Sequence, residues 1–235
     1  MDRAIWAIMY DLTDDARDAY LRWFHDVHIP EKLSRPGYNW AGHYEIEKST
    51  IRRGAVTLER QDSAGTSPLA GKRYVALFCG ESTATFYNPS PFQLKGQQDE
   101  ETRRMIGCRV NPISFVLAEE WRACGKAGPG QTIAAAPVIE FELFDMQQGD
   151  EDIGVWCAQP RRSAFKQGDG CVVMQKLLAS SGPARHGALQ GYATFDSLTA
   201  HLKQLKDASE KHRDKTGHEP PASSTVLATL ISPKQ

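Results

Sequence analysis

The hydrophobic pattern of this sequence predicts the same order of strands and helices twice, and a glycine-rich segment separates the two occurrences. Short apolar runs predict strands, and stretches with a period of 3.6 residues predict helices. Each half then reads β-α-β-β-α-β, the split-βαβ or ferredoxin-like arrangement. The segment GKAGPG at 125–130 predicts a linker. We therefore predict an α+β fold of two tandem ferredoxin-like units, residues 1–124 and 131–235. Since no residue pattern recurs at a fixed period, one continuous α+β domain without internal symmetry is the alternative.

The individual elements are predicted from the hydrophobic period and from prolines and glycines that interrupt it. Strands are expected at residues 3–11, 38–47, 73–80, 108–121, 132–145, 170–180, 188–195 and 223–231. Helical regions are expected at residues 14–29, 83–107, 150–166 and 197–215. The first helix should weaken near Ile29, because Pro30 disfavours the α conformation of the residue before it. Residues 49–72 are rich in Arg, Gly and Ser and predict a long loop or a hairpin insertion.

Charge and cysteine content narrow the class of protein. The 28 basic and 29 acidic side chains give a formal net charge of -1, which lacks the basic excess of a nucleic-acid-binding protein. No apolar segment approaches the roughly 20 residues that a membrane helix needs, and the N-terminal sequence is a poor signal peptide. The five cysteines are odd in number and show no C-x-x-C spacing, so reduced thiols are expected. We predict a cytoplasmic protein that acts on a small molecule, with neither nucleic acid nor a membrane as partner.

Three of the seven histidines, His25, His28 and His43, fall within nineteen residues. On the first predicted helix, His28 lies at the border of the apolar stripe, whereas His25 lies towards solvent. An imidazole titrates near neutrality, so at the rim of an apolar pocket His28 could take up and return a proton. The alternative is structural: His28 would cap helix carbonyls while its ring packs on Trp23 or Phe24.

A tyrosine on the second predicted strand is the other catalytic candidate. Strict alternation places Tyr38, Trp40 and Tyr44 on one face and His43 on the other. His43 and Tyr44 therefore cannot both meet His28 without a bulge. We choose Tyr44, whose phenol could donate a hydrogen bond to a substrate oxygen or stabilise an enolate. The alternative for Tyr44 is core packing with its hydroxyl bonded to the backbone.

Other constellations are weaker. A metal site made by His25, His28 and His43 is disfavoured, because the two helical rings diverge by about 60° and the third histidine lies on the wrong strand face. No metal or other cofactor is therefore predicted. The arginine pairs at 52–53 and 161–162 could hold a carboxylate, but paired arginines on loops are more often solvated surface.

The segment YLRWFHDVHIP at residues 20–30 carries a family resemblance, together with RPGY at 35–38 and HYE at 43–45. A helix that ends in tryptophan, histidine and proline, then Pro-Gly, then an aromatic-rich strand, resembles the EthD-like proteins of the dimeric α+β barrel superfamily. The resemblance covers residues 3–48 well, is compatible with the order of elements up to residue 122, and is faint beyond. The segment VWCAQP at 155–160 has no histidine where His28 would recur. One site per chain, in the first unit, is what the resemblance implies.

In that superfamily, two ferredoxin-like units pack their sheets into a barrel, usually from two chains. This chain would supply both units itself and form an α+β barrel. The resemblance leaves open whether two such chains also form a homodimer. The family includes cofactor-independent cyclases, isomerases and quinone-forming monooxygenases, and also haem-dependent enzymes. In the cofactor-independent isomerases and cyclases, a histidine and a tyrosine act in the cleft between helix and sheet, and His28 and Tyr44 are the similar positions here.

The leading hypothesis is a cofactor-independent isomerase, cyclase or lyase that acts on an aromatic, lactone or polyketide-like substrate. His28 would be the general base or acid, and Tyr44 would polarise an oxygen. The substrate pocket would be lined by Tyr10, Phe24 and Trp40 and tuned by His25 or His43. Two alternatives stay open: a protein that binds a small molecule without chemistry, and a haem-dependent member with His28 as axial ligand.

Overall fold

The computed structural model describes residues 3–53, 56–59, 69, 71–128, 130, 132–144 and 149–233. The first half contains β1 (Ala4–Leu12), α1 (Arg17–Trp23), a π-helical turn (Phe24–His28), α2 (Ile29–Leu33), β2 (Tyr38–Arg53), β3 (Val56–Glu59), β4 (Tyr74–Gly80), α3 (Pro91–Leu94), α4 (Glu100–Gly107) and β5 (Arg109–Cys124). The second half contains β6 (Val138–Phe144), α5 (Asp150–Trp156), a π-helical turn (Cys157–Arg161), α6 (Arg162–Gln167), β7 (Cys171–Ser181), β8 (His186–Tyr192), α7 (Phe195–Thr216) and β9 (Ser223–Ser232). Short 3₁₀ turns lie at Thr83–Phe86, Lys95–Gln97 and Ile133–Ala135.

Eight strands form a closed antiparallel barrel. Their order is β2-β4-β1-β5-β7-β8-β6-β9, and β9 pairs back onto β2 to close the ring. The pairs β5–β7 and β2–β9 join the two halves of the chain. Each predicted strand overlaps one barrel strand, and the predicted α+β class is confirmed.

The sheet has two apolar faces, because successive side chains of a strand point to opposite sides. From β1, Ile5, Ala7 and Met9 join the large cluster that fills the barrel. The alternate residues Ile8 and Tyr10 face outward and pack under the helices of the first half. Two smaller clusters lie between the outer face and the second-half helices. Among the described residues, no helix is long and apolar enough to cross a membrane.

The segment predicted as a loop or hairpin insertion is a hairpin in its first part. Strand β2 continues to Arg53 and pairs antiparallel with β3, where Thr50 faces Glu59. Residues 54–55, 60–68 and 70 of this segment lie outside the described part of the chain. The pairing of β2 with β9 runs from His43 to Arg52, so this β2 extension carries the last part of the seam that closes the barrel.

The expectation that the first helix weakens near Ile29 is wrong. The chain stays helical to Leu33, because a π turn at Phe24–His28 admits one extra residue per turn. The Ile29 N–H donates to the Phe24 carbonyl, five residues back. Pro30 then falls in the first turn of α2, where a missing N–H is tolerated.

A β-bulge at the start of β2 decides which side chains face the first-half helices. Against β4, Tyr38 lies opposite Gly80 while Trp40 lies opposite Cys79, so β2 carries one extra residue there. Tyr38 consequently packs on the helix side, while Trp40 packs against the barrel interior. The predicted sharing of one face by Tyr38 and Trp40 is wrong, because the bulge shifts the alternation by one residue.

Candidate functional site

The first π turn ends at His28 and presents it to a small cavity. The side chain is 5% exposed, and its ring packs against Trp23 and Phe24 with centroid separations of 4.7 and 5.4 Å. The cavity measures about 220 Å³ and is bounded by the outer face of the sheet, the helix and the segment from Pro89 to Gln98. Tyr38 also lines it, which follows from the bulge in β2.

Four cations line this cavity, and Glu31, outside the lining, pairs with two of them, Lys32 at 2.9 Å and Arg35 at 2.5 Å. Lys32, Arg35, Lys95 and Arg109 all line it, and no carboxylate is among the described lining residues. Burial, followed by the charges of Lys32, Arg109 and Arg35, lowers the pKa of His28 to about 2. The imidazole is therefore neutral at physiological pH, with one ring nitrogen as donor and the other as acceptor. A neutral histidine among cations is suited to an anionic or enolisable ligand.

Arg109 is the functional candidate that the sequence did not reveal. It begins β5, its Nε donates to the Tyr20 hydroxyl at 2.7 Å, and its guanidinium lies 4.8 Å from the Tyr10 ring centroid. The Nη2 atom is buried and makes no hydrogen bond within the described part of the chain. The position of Arg109 depends on the long-range register in which Arg109 faces Leu12 across β1 and β5. No local pattern signals that register.

A hydrogen-bonded chain of side chains runs beside the cavity. The Tyr10 hydroxyl lies 2.9 Å from His43 Nε2, and His43 Nδ1 lies 2.8 Å from His25 Nε2. Burial, then the charges of His25 and Arg109, holds the pKa of His43 well below its usual value. Burial also raises the pKa of Tyr10 well above the ordinary range. The chain therefore connects a buried neutral phenol to the half-buried His25 imidazole, with Phe24 separating it from His28.

The structure brings five of the seven predicted site residues to one side of the sheet: Tyr10, Phe24, His25, His28 and His43. It does not bring Tyr44 or Trp40 there, because both face the barrel interior. The Tyr44 hydroxyl donates to the Ala136 carbonyl at 3.3 Å, and burial raises its pKa well above the ordinary value. This placement is the core-packing alternative, and the phenol beside His28 is that of Tyr38.

The three clustered histidines do not converge on one point. His25 and His43 hydrogen-bond to each other, and His28 lies in the separate cavity. No group of three or more His, Cys, Asp or Glu side chains in the described ranges is arranged to hold a metal ion.

Of the arginines that the sequence assigned to solvated surface, Arg161 is buried and Arg52 is partly buried. Arg161 is fully buried and forms ion pairs with Glu140, at 3.2 Å, and with Glu142. Arg52 is 17% exposed in its side chain and lies 3.6 Å from Glu142. The surface prediction holds for Arg162, whose side chain is exposed. The prediction fails for Arg161 because the second π turn places this side chain against two glutamates of β6. The side chain of Arg53 lies outside the described part of the chain.

The residues of the two main cavities do not fit haem. The His28 cavity, about 220 Å³, is smaller than the roughly 300 Å³ at which typical ligand pockets begin. A cavity of about 450 Å³ lies between α7 and the sheet. Among its described lining residues there is no histidine, cysteine or tyrosine that could serve as an axial ligand.

Comparison with known proteins identifies the fold. No family model matches the chain, and no curated protein sequence does. A proposed monooxygenase from Lactobacillus acidophilus has a TM-score of 0.56 at 12% identity, covering 97% of this chain and 95% of that one. An anthrone oxidase-like protein has a TM-score of 0.58 at 10% identity, covering 98% and 92%. A dye-decolorizing protein from V. cholerae has a TM-score of 0.53 at 9% identity, covering 97% and 93%. The chain therefore shares the overall fold of these proteins.

Proposed function

We propose that this chain is a small-molecule enzyme that moves a proton on an anionic, enolisable substrate bound at His28, without a bound cofactor. The observation that carries the proposal is a neutral imidazole in a cavity with four cations and no carboxylate among its described lining residues. Enzyme names among the proteins of similar fold support a catalytic role: a proposed monooxygenase, an anthrone oxidase-like protein and a dye-decolorizing protein.

The chemistry starts with binding of the substrate anion. Lys32, Arg35 and Arg109 would hold a carboxylate or a developing enolate, since charge-assisted hydrogen bonds are the strong ones. The bound negative charge offsets the cations that lower the pKa of His28, so that pKa rises on binding. His28 can then take a proton from the carbon beside a carbonyl and return it at another position. The electron pair stays within the substrate, so the step needs no oxidant or reductant.

The phenol in this proposal is Tyr38, which lines the cavity, and not Tyr44. A hydroxyl at that position can donate a hydrogen bond to the substrate oxygen that gains charge in the enolate. The cavity volume of about 220 Å³ favours a single-ring aromatic acid or a lactone acid over a polycyclic polyketide. Isomerisation, cyclisation and lyase cleavage all begin with this proton transfer.

We further infer that the barrel consists of two tandem ferredoxin-like units and that the chain is related to the EthD-like proteins. In support, the strand order is β2-β4-β1-β5 in the first half and β7-β8-β6-β9 in the second. Both orders place the first strand of the half between its third and fourth strands. We also propose a cytoplasmic setting, in which the five free cysteines stay reduced.

Deuterium exchange tests the proposed reaction without knowledge of the natural substrate. The protein would be incubated in D₂O with 2-oxo acids, aromatic β-keto acids and unsaturated lactone acids, and loss of the C–H signal followed by NMR. We expect catalysed exchange for some of these anions and a loss of at least about 100-fold in His28→Gln. His218→Gln, at an exposed histidine outside the cavity, is the matched control.

Two outcomes of this experiment contradict the proposal. One is exchange by folded His28→Gln at the rate of the unaltered protein. The other is saturable binding of the anions with no exchange, which would favour a binding protein. A saturable Soret band that appears on titration with haemin and is lost in His28→Gln would instead indicate a haem-binding protein with His28 as ligand.

A further inference from the structure

A second cavity is distinct from the one at His28. It measures about 450 Å³, which is within the roughly 300 to 1,000 Å³ of small-molecule sites. It lies in the second half, between α7 and the outer face of the sheet at β2, β6 and β9, and shares no lining residue with the His28 cavity. A separate ligand could therefore occupy it.

One wall of this cavity is apolar. Leu202 and Leu205 of α7 and Leu227 of β9 line it, and the hydroxyls of Thr50 and Thr225 lie on the sheet side. Leu205 and Leu227 are almost fully buried within the fold. Such a wall suits the hydrocarbon or aromatic body of a ligand, whose burial removes apolar surface from water.

The polar end of the cavity is defined by Arg52. Its side chain is 17% exposed, and its Nη1 lies 3.6 Å from Glu142 Oε1, too far for a hydrogen bond. Within the described part of the chain, this buried Nη1 has no hydrogen-bond partner. Burial lowers the pKa of Arg52, but a guanidinium stays protonated in proteins. Nη1 is inaccessible to solvent and faces Glu142, so a ligand in the cavity can reach only the exposed remainder of the Arg52 side chain.

The one fully buried carboxylate on the wall is already satisfied. Glu140 pairs with Arg161 Nη2 at 3.2 Å, accepts from the Tyr192 hydroxyl at 2.9 Å and accepts from the Gln190 amide. A cationic ligand would have to displace these donors. The remaining lining charges are the cations Lys48, Lys206 and Arg213 and the carboxylates Glu210 and Glu219. Arg213 pairs with Asp214 at 3.1 Å, so the rim charges do not select the sign of the ligand, and that selection rests on Arg52.

We propose that the cavity between α7 and strands β2 and β9 binds a small organic monocarboxylate, with its carboxylate at Arg52 and its apolar body against Leu202, Leu205 and Leu227. A carboxylate can accept charge-assisted hydrogen bonds from the part of the Arg52 guanidinium that lines the cavity, and planar guanidinium and carboxylate groups are suited to such pairing. This site is independent of the proton-transfer reaction proposed at His28.

The test uses 4-(trifluoromethyl)benzoate as the probe and the neutral 4-(trifluoromethyl)benzamide as its uncharged analogue. Binding to the full-length protein is followed by ¹⁹F NMR and isothermal titration calorimetry. We expect saturable binding of the carboxylate and at least tenfold weaker binding of the amide. In Arg52→Lys, which keeps the charge and loses the fork, affinity for the carboxylate should fall about tenfold.

A cavity-filling variant keeps the test independent of the buried charges. Ser209 is on α7, lines the cavity and is small, so Ser209→Phe should occupy the ligand volume and abolish binding. Ala200→Phe adds the same ring at an exposed position of the same helix and should leave binding unchanged. Folding of both variants is checked by circular dichroism.

The outcomes also separate this site from the His28 cavity, where a carboxylate could bind too. The proposal is supported if probe binding is lost in Ser209→Phe and is retained in Arg35→Gln. Binding that is unaffected by Ser209→Phe and abolished by Arg35→Gln overturns it and assigns the probe to the His28 cavity. Equal affinity for the benzamide, or no saturable binding to the unaltered protein, also overturns it.

Discussion

Two adjacent arginines should contribute very differently to the free energy of unfolding. Arg161 is fully buried with Glu140 and Glu142, whereas its neighbour Arg162 is exposed and lies 5.7 Å from the centroid of the Trp121 ring. Removing one member of a buried ion pair leaves the others uncompensated, which typically costs about 3 to 5 kcal/mol. We expect Arg161→Met to lower the free energy of unfolding by about that amount in urea denaturation. Arg162→Met should change it by less than about 0.5 kcal/mol. Equal effects of the two substitutions would mean that the buried cluster contributes nothing specific.

The buried neutral state of His28 makes stability depend on pH. The pKa of His28 is about 2 in the folded chain, against about 6.5 in an unfolded one. The unfolded state therefore binds more protons between these values, and stability falls as the pH drops below about 6.5. From pH 7.5 to 5.0 this group alone should cost about 2 kcal/mol.

Urea unfolding at pH 7.5 and 5.0 measures this dependence. His28→Phe keeps an aromatic ring against Trp23 and Phe24 but has no titrating group. Its loss of stability between the two pH values should be smaller than that of the unaltered protein by about 2 kcal/mol. Part of the slope should remain, because burial also lowers the pKa of His43 and, to about 4, that of His201. Parallel pH profiles for the two proteins would show that His28 is protonated in the fold.

Among single residues, the sequence predicted the helix that carries His28, but it chose a tyrosine, Tyr44, that faces the barrel interior. His28 was identified because the helical stripe is a local property that spacing reveals. Tyr44 was preferred over His43 because alternation alone does not say which face of β2 meets the helix. The bulge at Tyr38–Trp40 places Tyr38 on the helix side, and this bulge depends on pairing with β4 and leaves no signature in β2 itself.

The two π turns determine the positions of His28 and Arg161. Each interrupts a helix directly after a tryptophan, at Phe24–His28 and at Cys157–Arg161, and each contains or precedes a proline. Their last residues, His28 and Arg161, are both buried towards the sheet. The sequence predicted both helices. It did not predict that each chain segment would accommodate an extra residue in a π turn and remain helical. That outcome depends on packing of the flanking turns against the sheet.

Deleting one residue from the first π turn should be tolerated by the fold. Val27 is 52% exposed in that turn, and its removal would restore an ordinary α-helical turn while both flanking segments keep their buried faces. We expect the Val27 deletion to stay folded, with a cooperative thermal transition, and to lose the deuterium exchange assigned to His28. Deletion of the exposed Lys203 in regular α7 is the control. It should destabilise far more, because every later residue rotates by about 100° away from the buried face that includes Leu205. A Val27 deletion as damaging as the Lys203 deletion would show that the turn is required for folding.

Closure of the barrel makes the two halves of the chain dependent on each other. The seams β5–β7 and β2–β9 join them, and the interior cluster draws side chains from both halves, such as Phe115 and Phe141. The linker predicted at residues 125–130 is itself tied to β7 by the Gly125 and Ala127 amides, at 2.9 and 3.0 Å. The sequence predicted the order of elements in each half. The resemblance implied that the two halves form one α+β barrel, but local periodicity did not predict which strands pair at the two seams.

Separation of the halves tests this dependence. Residues 1–124 alone would leave β2 and β5 as free edges and expose the inner face of four strands. Free edges and apolar faces favour association with other chains. We expect this fragment to form dimers or larger species in sedimentation velocity experiments, with no monomer that unfolds cooperatively. Co-expression with residues 131–235 should yield a one-to-one complex with the near-ultraviolet circular dichroism of the intact chain. A monomeric fragment 1–124 with a cooperative unfolding transition would show that the first half is a self-sufficient domain and that its barrel face is stable in water.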